Sequence, residues 1–168
     1  NSKLIFADST PRKEDYATAR LPYSLEEDSP DAWGTLIGTL YDEDARRKLE
    51  WLIGSIVAGD SKRIQKFAVL YGPPGSGKST VLNILELLFQ GYTTTFDAGA
   101  LGSKSDQFAT STLGKSSLVA IDQDGDLSRI ETNGLLNSVV AHETILINEK
   151  GVKRYPKRIN ALLFICLL

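Results

Sequence analysis

Several things are scarce in this sequence. It holds one cysteine, one histidine and no methionine in 168 residues. A single cysteine, Cys166, excludes an internal disulfide and suits a reducing compartment. It lies in an apolar run, where a buried thiol is inert packing rather than a nucleophile. A single histidine, His142, beside Glu143 and without a partner His or Cys, argues against a zinc centre and reads as structural. No apolar stretch approaches the ~20 residues that a membrane helix needs, and no signal peptide is recognisable. Membrane association is therefore not expected, and the expected location is the cytoplasm, that of a bacterial host. Net charge is only −2, which on its own speaks neither for nor against nucleic acid. The start at Asn1, the missing methionine and the stop inside Ala161–Leu168 point to a fragment of a longer product. What remains is ordinary for a globular domain: 42% hydrophobic and 24% charged residues, with length enough for a real core.

The most informative stretch is Gly72-Pro73-Pro74-Gly75-Ser76-Gly77-Lys78-Ser79-Thr80. It matches G-x-x-x-x-G-K-[ST] in full. Glycines let successive backbone N–H groups turn inward around a polyphosphate, where a Cβ would collide. Lys78 brings a compact positive charge to the β and γ oxygens, and the Ser79 hydroxyl is a Mg²⁺ ligand. A helix starting here aims its positive end at the same phosphates. The required context is present: Lys66–Tyr71 reads as a short buried strand, and Val81, Leu82, Leu85, Leu88 and Phe89 repeat at helical spacing up to Gly91. ATP with Mg²⁺ is the expected ligand pair.

A second chemical stretch is Ser117–Ile121, a buried-strand pattern ending in Asp122. A carboxylate at the end of a strand beside the phosphate-loop strand is what Mg²⁺–nucleotide sites use, so Asp122 is the expected metal-holding acid. Gln123 stands where a carboxylate that polarises the attacking water is expected. Either Asp124 takes that role or hydrolysis is slow. Asp124-Gly125 is equally a strong turn dipeptide.

In chain order, residues 1–28 read as irregular and polar, with extended or turn segments at Ser9-Thr10-Pro11 and Leu21-Pro22-Tyr23 and an acidic link at Glu26–Asp28. Ser29-Pro30 is a helix start, followed by Trp33, Leu36, Ile37 and Leu40 on one face. A second helix spans about Asp44 to Ala58, ending at Gly59. This pair reads as packing against one flank of the nucleotide domain, with a partner surface as the alternative. Tyr92–Phe96 reads as strand, Asp97–Lys104 as loop, Ser105–Thr112 as a short helix carrying Phe108 inward, and Gly114–Ser116 as a turn. Ile130–Val140 reads as helix. Thr144–Asn148 and Val152–Tyr155 read as a hairpin joined by a tight turn at Glu149-Lys150-Gly151. Lys150, Lys153, Arg154, Lys157 and Arg158 crowd around Tyr155, which suits a nucleic-acid backbone with an aromatic to stack; a solvated charged hairpin is the alternative. The fold class is thus α/β, a P-loop NTPase core with a mostly parallel sheet (65–168), preceded by an extended segment and helical pair (1–64).

The order of Leu21-Pro22-Tyr23, Trp33, the Asp44–Ala58 helix, Gly72–Thr80, Phe108, Leu113-Gly114-Lys115, Ser117–Asp122 and Ile147–Arg158 resembles the third helicase superfamily. More closely, it is similar to the C-terminal ATPase region of phage and plasmid primase–helicases, the group that includes poxvirus-type replication NTPases. That resemblance implies an ATP-driven DNA-helicase motor whose subunits form a homo-oligomeric ring, usually a hexamer, around single-stranded DNA. It implies ATP between subunits and a basic hairpin in the channel, with Lys150 at the position of the DNA-contacting lysine and Lys153 and Arg154 beside it. Two departures stand out. The family's Asn after the strand matching Ala161–Cys166 is replaced by Leu167-Leu168, and its later arginine is not in the chain. With Gln123 these imply binding with weak hydrolysis. The other readings are a nucleotide-dependent assembly or DNA-loading module, and a small-molecule kinase, whose arginine-rich lid and acceptor pocket are not visible.

Overall fold

The structure, a computed structural model, describes Leu21, Tyr23 and residues 31–167. The expected segments at 9–11 and 26–28 and the Ser29-Pro30 helix start lie outside the described residues, as do Pro22 and Leu168. The fold is α/β, with a four-stranded parallel sheet between two layers of helix and a separate two-stranded hairpin.

Two helices come first, α1 (Asp31–Leu40) and α2 (Glu43–Val57). Asp42 starts α2: its Oδ1 accepts the Ala45 N–H at 2.8 Å, and Glu43 and Asp44 in the first turn suit the helix dipole. Gly59, at φ +72°, follows its end. Glu50 fastens the pair, accepting from Trp33 Nε1 and Arg46 Nε, each at 2.7 Å.

Strand β1 (Ala68–Tyr71) leads through the glycine-rich loop to α3 (Lys78–Leu88) and β2 (Thr93–Thr95). A short helix α4 (Ala98–Leu101) and a 3₁₀ turn at Ser111–Gly114 precede β3 (Val119–Asp122). Then come α5 (Gly134–Val140), the antiparallel hairpin β4 (Thr144–Ile147) and β5 (Tyr155–Arg158), and finally β6 (Leu162–Leu167). The sheet order is β1-β6-β3-β2, so the last strand fills the slot between the first and third. Alternation along β3 and β6 sends side chains to two cores. Val119, Ile121, Leu162, Phe164 and Cys166 join Ile37, Leu49, Ile56, Leu82, Leu85 and Phe89 on one face. Ala120, Leu163 and Ile165 join Leu101, Leu136, Val139, Ile145 and Ile147 on the other. Buried on both faces, these central strands read as unbroken apolar runs.

Several expectations need correction. The phosphate-loop strand starts at Ala68 and is a sheet edge, not a buried strand: Val69 is 42% and Tyr71 77% exposed. The loop expected at 97–104 contains α4, because Asp97 Oδ1 accepts the Ala100 N–H at 2.9 Å and caps it. The helix expected at 105–112 is a run of turns, and Phe108 is exposed rather than inward. There Ser103 Oγ takes the Ser105 N–H and Asp106 Oδ1 the Phe108 N–H, so side chains compete with helical bonding. Gly114 closes the 3₁₀ turn rather than opening a separate one. The helix expected from Ile130 begins at Gly134, since the Glu131 and Thr132 N–H groups both donate to Gly102 O. The hairpin's return strand starts at Tyr155, opposite Ile147, so Asn148 and Val152–Arg154 belong to a wider loop and not to strands. Among the described residues, no helix is long and apolar enough to cross a membrane.

Candidate nucleotide site and basic hairpin

The glycine-rich loop leaves β1 and enters α3 at the C-terminal end of the parallel sheet, the end where open α/β sheets bind ligands. Two glycines set its shape. Gly77 has φ +85°, and a Cβ there would lie 2.8 Å from the Leu40 methyls; a Cβ on Gly72 would meet Ser76 Oγ at 2.9 Å. Beyond Gly77 the chain turns helical, with Val81 N donating to Gly77 O at 3.1 Å. The first-turn N–H groups of Lys78, Ser79 and Thr80 have no partner within the helix and face outward at its positive end. Lys78 is buried at 7% exposure, and its Nζ donates to Gly72 O, to Pro73 O at 2.9 Å and to Ser76 Oγ at 3.4 Å.

A cavity of about 900 Å³ opens over this loop. Pro74 through Thr80 line one side and Gln123 through Ser128 the other. Volumes near this size hold nucleotide-sized ligands. Gly125 holds the second wall in place: its N–H donates to Cys166 O at 2.9 Å, and a Cβ would sit 2.4 Å from Ile165 Cγ2.

The acids divide between two hollows. Asp122 ends β3, is buried at 7% exposure, and accepts the Ala98 N–H at 2.8 Å through Oδ2. It is not adjacent to the phosphate-loop strand as expected, because β6 lies between. Asp122 lines a side hollow of about 330 Å³ with Asp97, Asp124 and Asp126, not the main cavity. Burial raises its carboxyl pKa, aided by the charges of Asp97 and Asp124, while N–H bonds from Ala98 and Asp124 pull it down. Asp124 lines both hollows and is exposed. Among the described residues no cluster of three His, Cys, Asp or Glu is built to hold a metal by itself. The donors present, the Ser79 hydroxyl and scattered aspartates, are the sparse set suited to Mg²⁺ that arrives with a polyphosphate.

Leu40, Leu127, Cys166 and Leu167 also line the main cavity. The sequence reading did not place these at the site. Leu40 is brought in by α1, a contact with no local signal, whereas Cys166 follows from where β6 ends. Burial pushes the Cys166 thiol up, opposed by the nearby Lys78 charge.

The hairpin separates its cations. Lys150, Lys153 and Arg154 are exposed on the 148–154 loop. Lys157 Nζ instead donates to Gly114 O at 2.6 Å, and Arg158 Nε to His142 O at 2.8 Å. Tyr155 is not a free stacking platform, since its hydroxyl donates to Glu149 Oε1 at 2.7 Å and its ring packs on the second core. Thr110 ties down the β4 side of the loop base: its Oγ1 donates to Leu146 O at 3.2 Å and accepts the Asn148 N–H at 3.0 Å. His142 is buried at φ +56°, with Nδ1 3.0 Å from Ile159 O and Nε2 lacking a partner among the described residues.

A family model described as a family of unknown function, DUF5906, matches residues 70–167, more than half of the chain, and the chain belongs to that family. No curated protein matches it. Solved structures of the NrS-1 C-terminal region share the fold. The A-form apo structure aligns with a TM-score of 0.62 at 18% identity over 85% of this chain and 34% of that one. The apo structure of residues 305–718 aligns with a TM-score of 0.62 at 19% identity over 84% of this chain and 34% of that one. This chain thus spans about a third of the length of those solved chains.

Proposed function

We propose that this chain is the ATP-binding and hydrolysing part of a DNA-translocating motor, of the helicase type found in phage, plasmid or integrated-element replication. The observation that carries the reading is the cavity of about 900 Å³ with the whole Pro74–Thr80 loop on one wall and Asp124 on the other. In this reading Lys78 exchanges its loop carbonyls for the β and γ oxygens of ATP. The first-turn N–H groups of α3 hold the phosphate chain. Ser79, with Asp122 from the end of β3, holds Mg²⁺. When bound, that ion neutralises charge on the transferring phosphoryl group. Asp124 is the candidate to orient the attacking water, in place of Gln123. Lys150, Lys153 and Arg154 contact single-stranded DNA, and the ring of subunits, a hexamer in the helicase reading, would bring that loop to a central channel.

The test is ATP turnover with and without single-stranded DNA, on a chain that continues past Leu168. A motor turns over faster with DNA, and Lys78→Ala abolishes turnover. Absence of turnover in both conditions would reject the motor.

A second reading has its own observation. Asp122 is engaged with Ala98, outside the main cavity, and Gln123 follows it. That arrangement favours a module that binds nucleotide to control assembly or DNA loading without hydrolysing it. Tight ATP binding with no turnover, together with nucleotide-dependent oligomerisation in sedimentation, is the result it expects.

A further inference from the structure

The strands of the sheet are parallel, so the residues just before β2, β3 and β6 gather at the end opposite the phosphate loop. A hollow of about 240 Å³ lies there, bordered by Lys115, Ser116, Ser117, Lys157, Arg158 and Asn160 among others. Among the described residues, three cationic residues border it and no acidic one does, in a chain whose overall charge is −2. The main cavity is the opposite case: among the described residues Lys78 is its one lining cation, and Asp124 and Asp126 line it as well.

The cations retain donor capacity. An ammonium has three N–H donors and Lys157 gives one to Gly114 O. Arg158 gives Nε to His142 O, which leaves both Nη groups. Lys157 is half-buried, and burial lowers its pKa against the opposing charge of Glu149. A partly desolvated ammonium with one carbonyl partner gains from an anion beside it. The hollow is smaller than the ~300 Å³ lower bound for drug-sized ligands, so it suits a phosphate group and not a whole nucleotide.

We propose that Lys115, Lys157, Arg158 and Asn160 form a phosphate-binding site at the end of the sheet opposite the phosphate loop. The phosphate belongs either to a polynucleotide backbone or to a free inorganic anion. This site is separate from the nucleotide reading and does not depend on it. Strand β5 links it to the exposed cations of the 148–154 loop, about 13 Å away at ~3.3 Å per residue, so a single strand could touch both.

The experiment is an NMR titration of the 168-residue chain, followed at the amides of Ser116, Ser117 and Asn160, with inorganic phosphate and with an oligothymidylate as separate probes. Shifts with the oligonucleotide at lower concentration than with phosphate support a backbone site. Shifts with phosphate alone support a free-anion site. In either case Lys115→Gln/Arg158→Gln should remove the shifts, and a backbone site should also lose about tenfold in oligonucleotide affinity at low salt. Gly75 and Ser79 amides in the same spectra report the phosphate loop independently. If Arg158→Gln lowers the melting temperature, Lys115→Gln alone, at an exposed side chain, replaces the double variant. Shifts that neither probe produces, or that survive the substitutions, overturn the proposal.

Discussion

The phosphate loop and the basic hairpin both present positive charge, but they hold it differently. In the loop one cation, Lys78, is buried and fixed by carbonyls of its own turn. On the hairpin three cations, Lys150, Lys153 and Arg154, stand exposed on a loop whose base is tied down by Thr110, Asn148 and Lys157. A buried, preorganised charge gives strong binding at one position. A group of exposed charges gives attraction that salt screens and that many backbone positions satisfy equally. The first suits a ligand that must be held still, the second one that must slide.

The largest effect should come from Lys78→Ala. Removing one partner of a desolvated charge contact costs about 2–5 kcal/mol, so nucleotide affinity by titration calorimetry should fall about thirtyfold or more. DNA affinity should not change. A Lys78→Ala chain that binds ATP normally would remove the distinction between a fixed and a diffuse cation.

Gly77→Ala tests the shape of the loop. A left-handed Ala costs about 1–2 kcal/mol, and its Cβ would also press on Leu40. The expected result is a lower melting temperature together with weaker nucleotide binding. Adding Leu40→Ala should recover only the steric part. Full recovery would mean that the backbone conformation at Gly77 is unimportant.

Neutralising Lys150, Lys153 and Arg154 to Gln should act more gently. Single-stranded DNA affinity should fall about tenfold at low salt, and the slope of log affinity against log salt should flatten by about 2, at ~0.7 per charge on single strands. Nucleotide affinity should stay as it was. An unchanged slope would assign these side chains to solvent.

How legible each region was follows from how local its determinants are. Gly72–Thr80 is contiguous, so its spacing exposes it, and the apolar runs of β3 and β6 declare themselves because both of their faces are buried. The partition of the hairpin's five cations was not legible, because Gly114 O and His142 O, which engage Lys157 and Arg158, are remote in sequence. The same holds for Leu40 against Gly77, and for β6 between β1 and β3. Helix α4 falls in a stretch read as loop for a different reason: Gly99 and Gly102 are poor helix formers, and the Asp97 cap outweighs them.

The smallest expected effect concerns Asp122, whose burial resembles that of Lys78 but whose compensation is weaker. Its carboxyl binds a proton more tightly in the folded chain than in the unfolded one, because burial and the Asp97 and Asp124 charges disfavour the anion. Stability therefore falls as pH rises from the ordinary carboxylate range through the raised folded value, and the cost is complete above it. Asparagine never ionises and can still accept the Ala98 N–H through Oδ1. Asp122→Asn should melt slightly higher than the parent at neutral pH, with the gap closing on acidification and absent below the usual carboxylate range. The same substitution should depress any Mg²⁺-dependent turnover, which would make Asp122 a group kept at a cost to the fold. Thermal melts across pH decide it: a variant that melts lower at neutral pH would show that the N–H bonds of Ala98 and Asp124 outweigh burial, and that Asp122, like Lys78, is fully satisfied by its own surroundings.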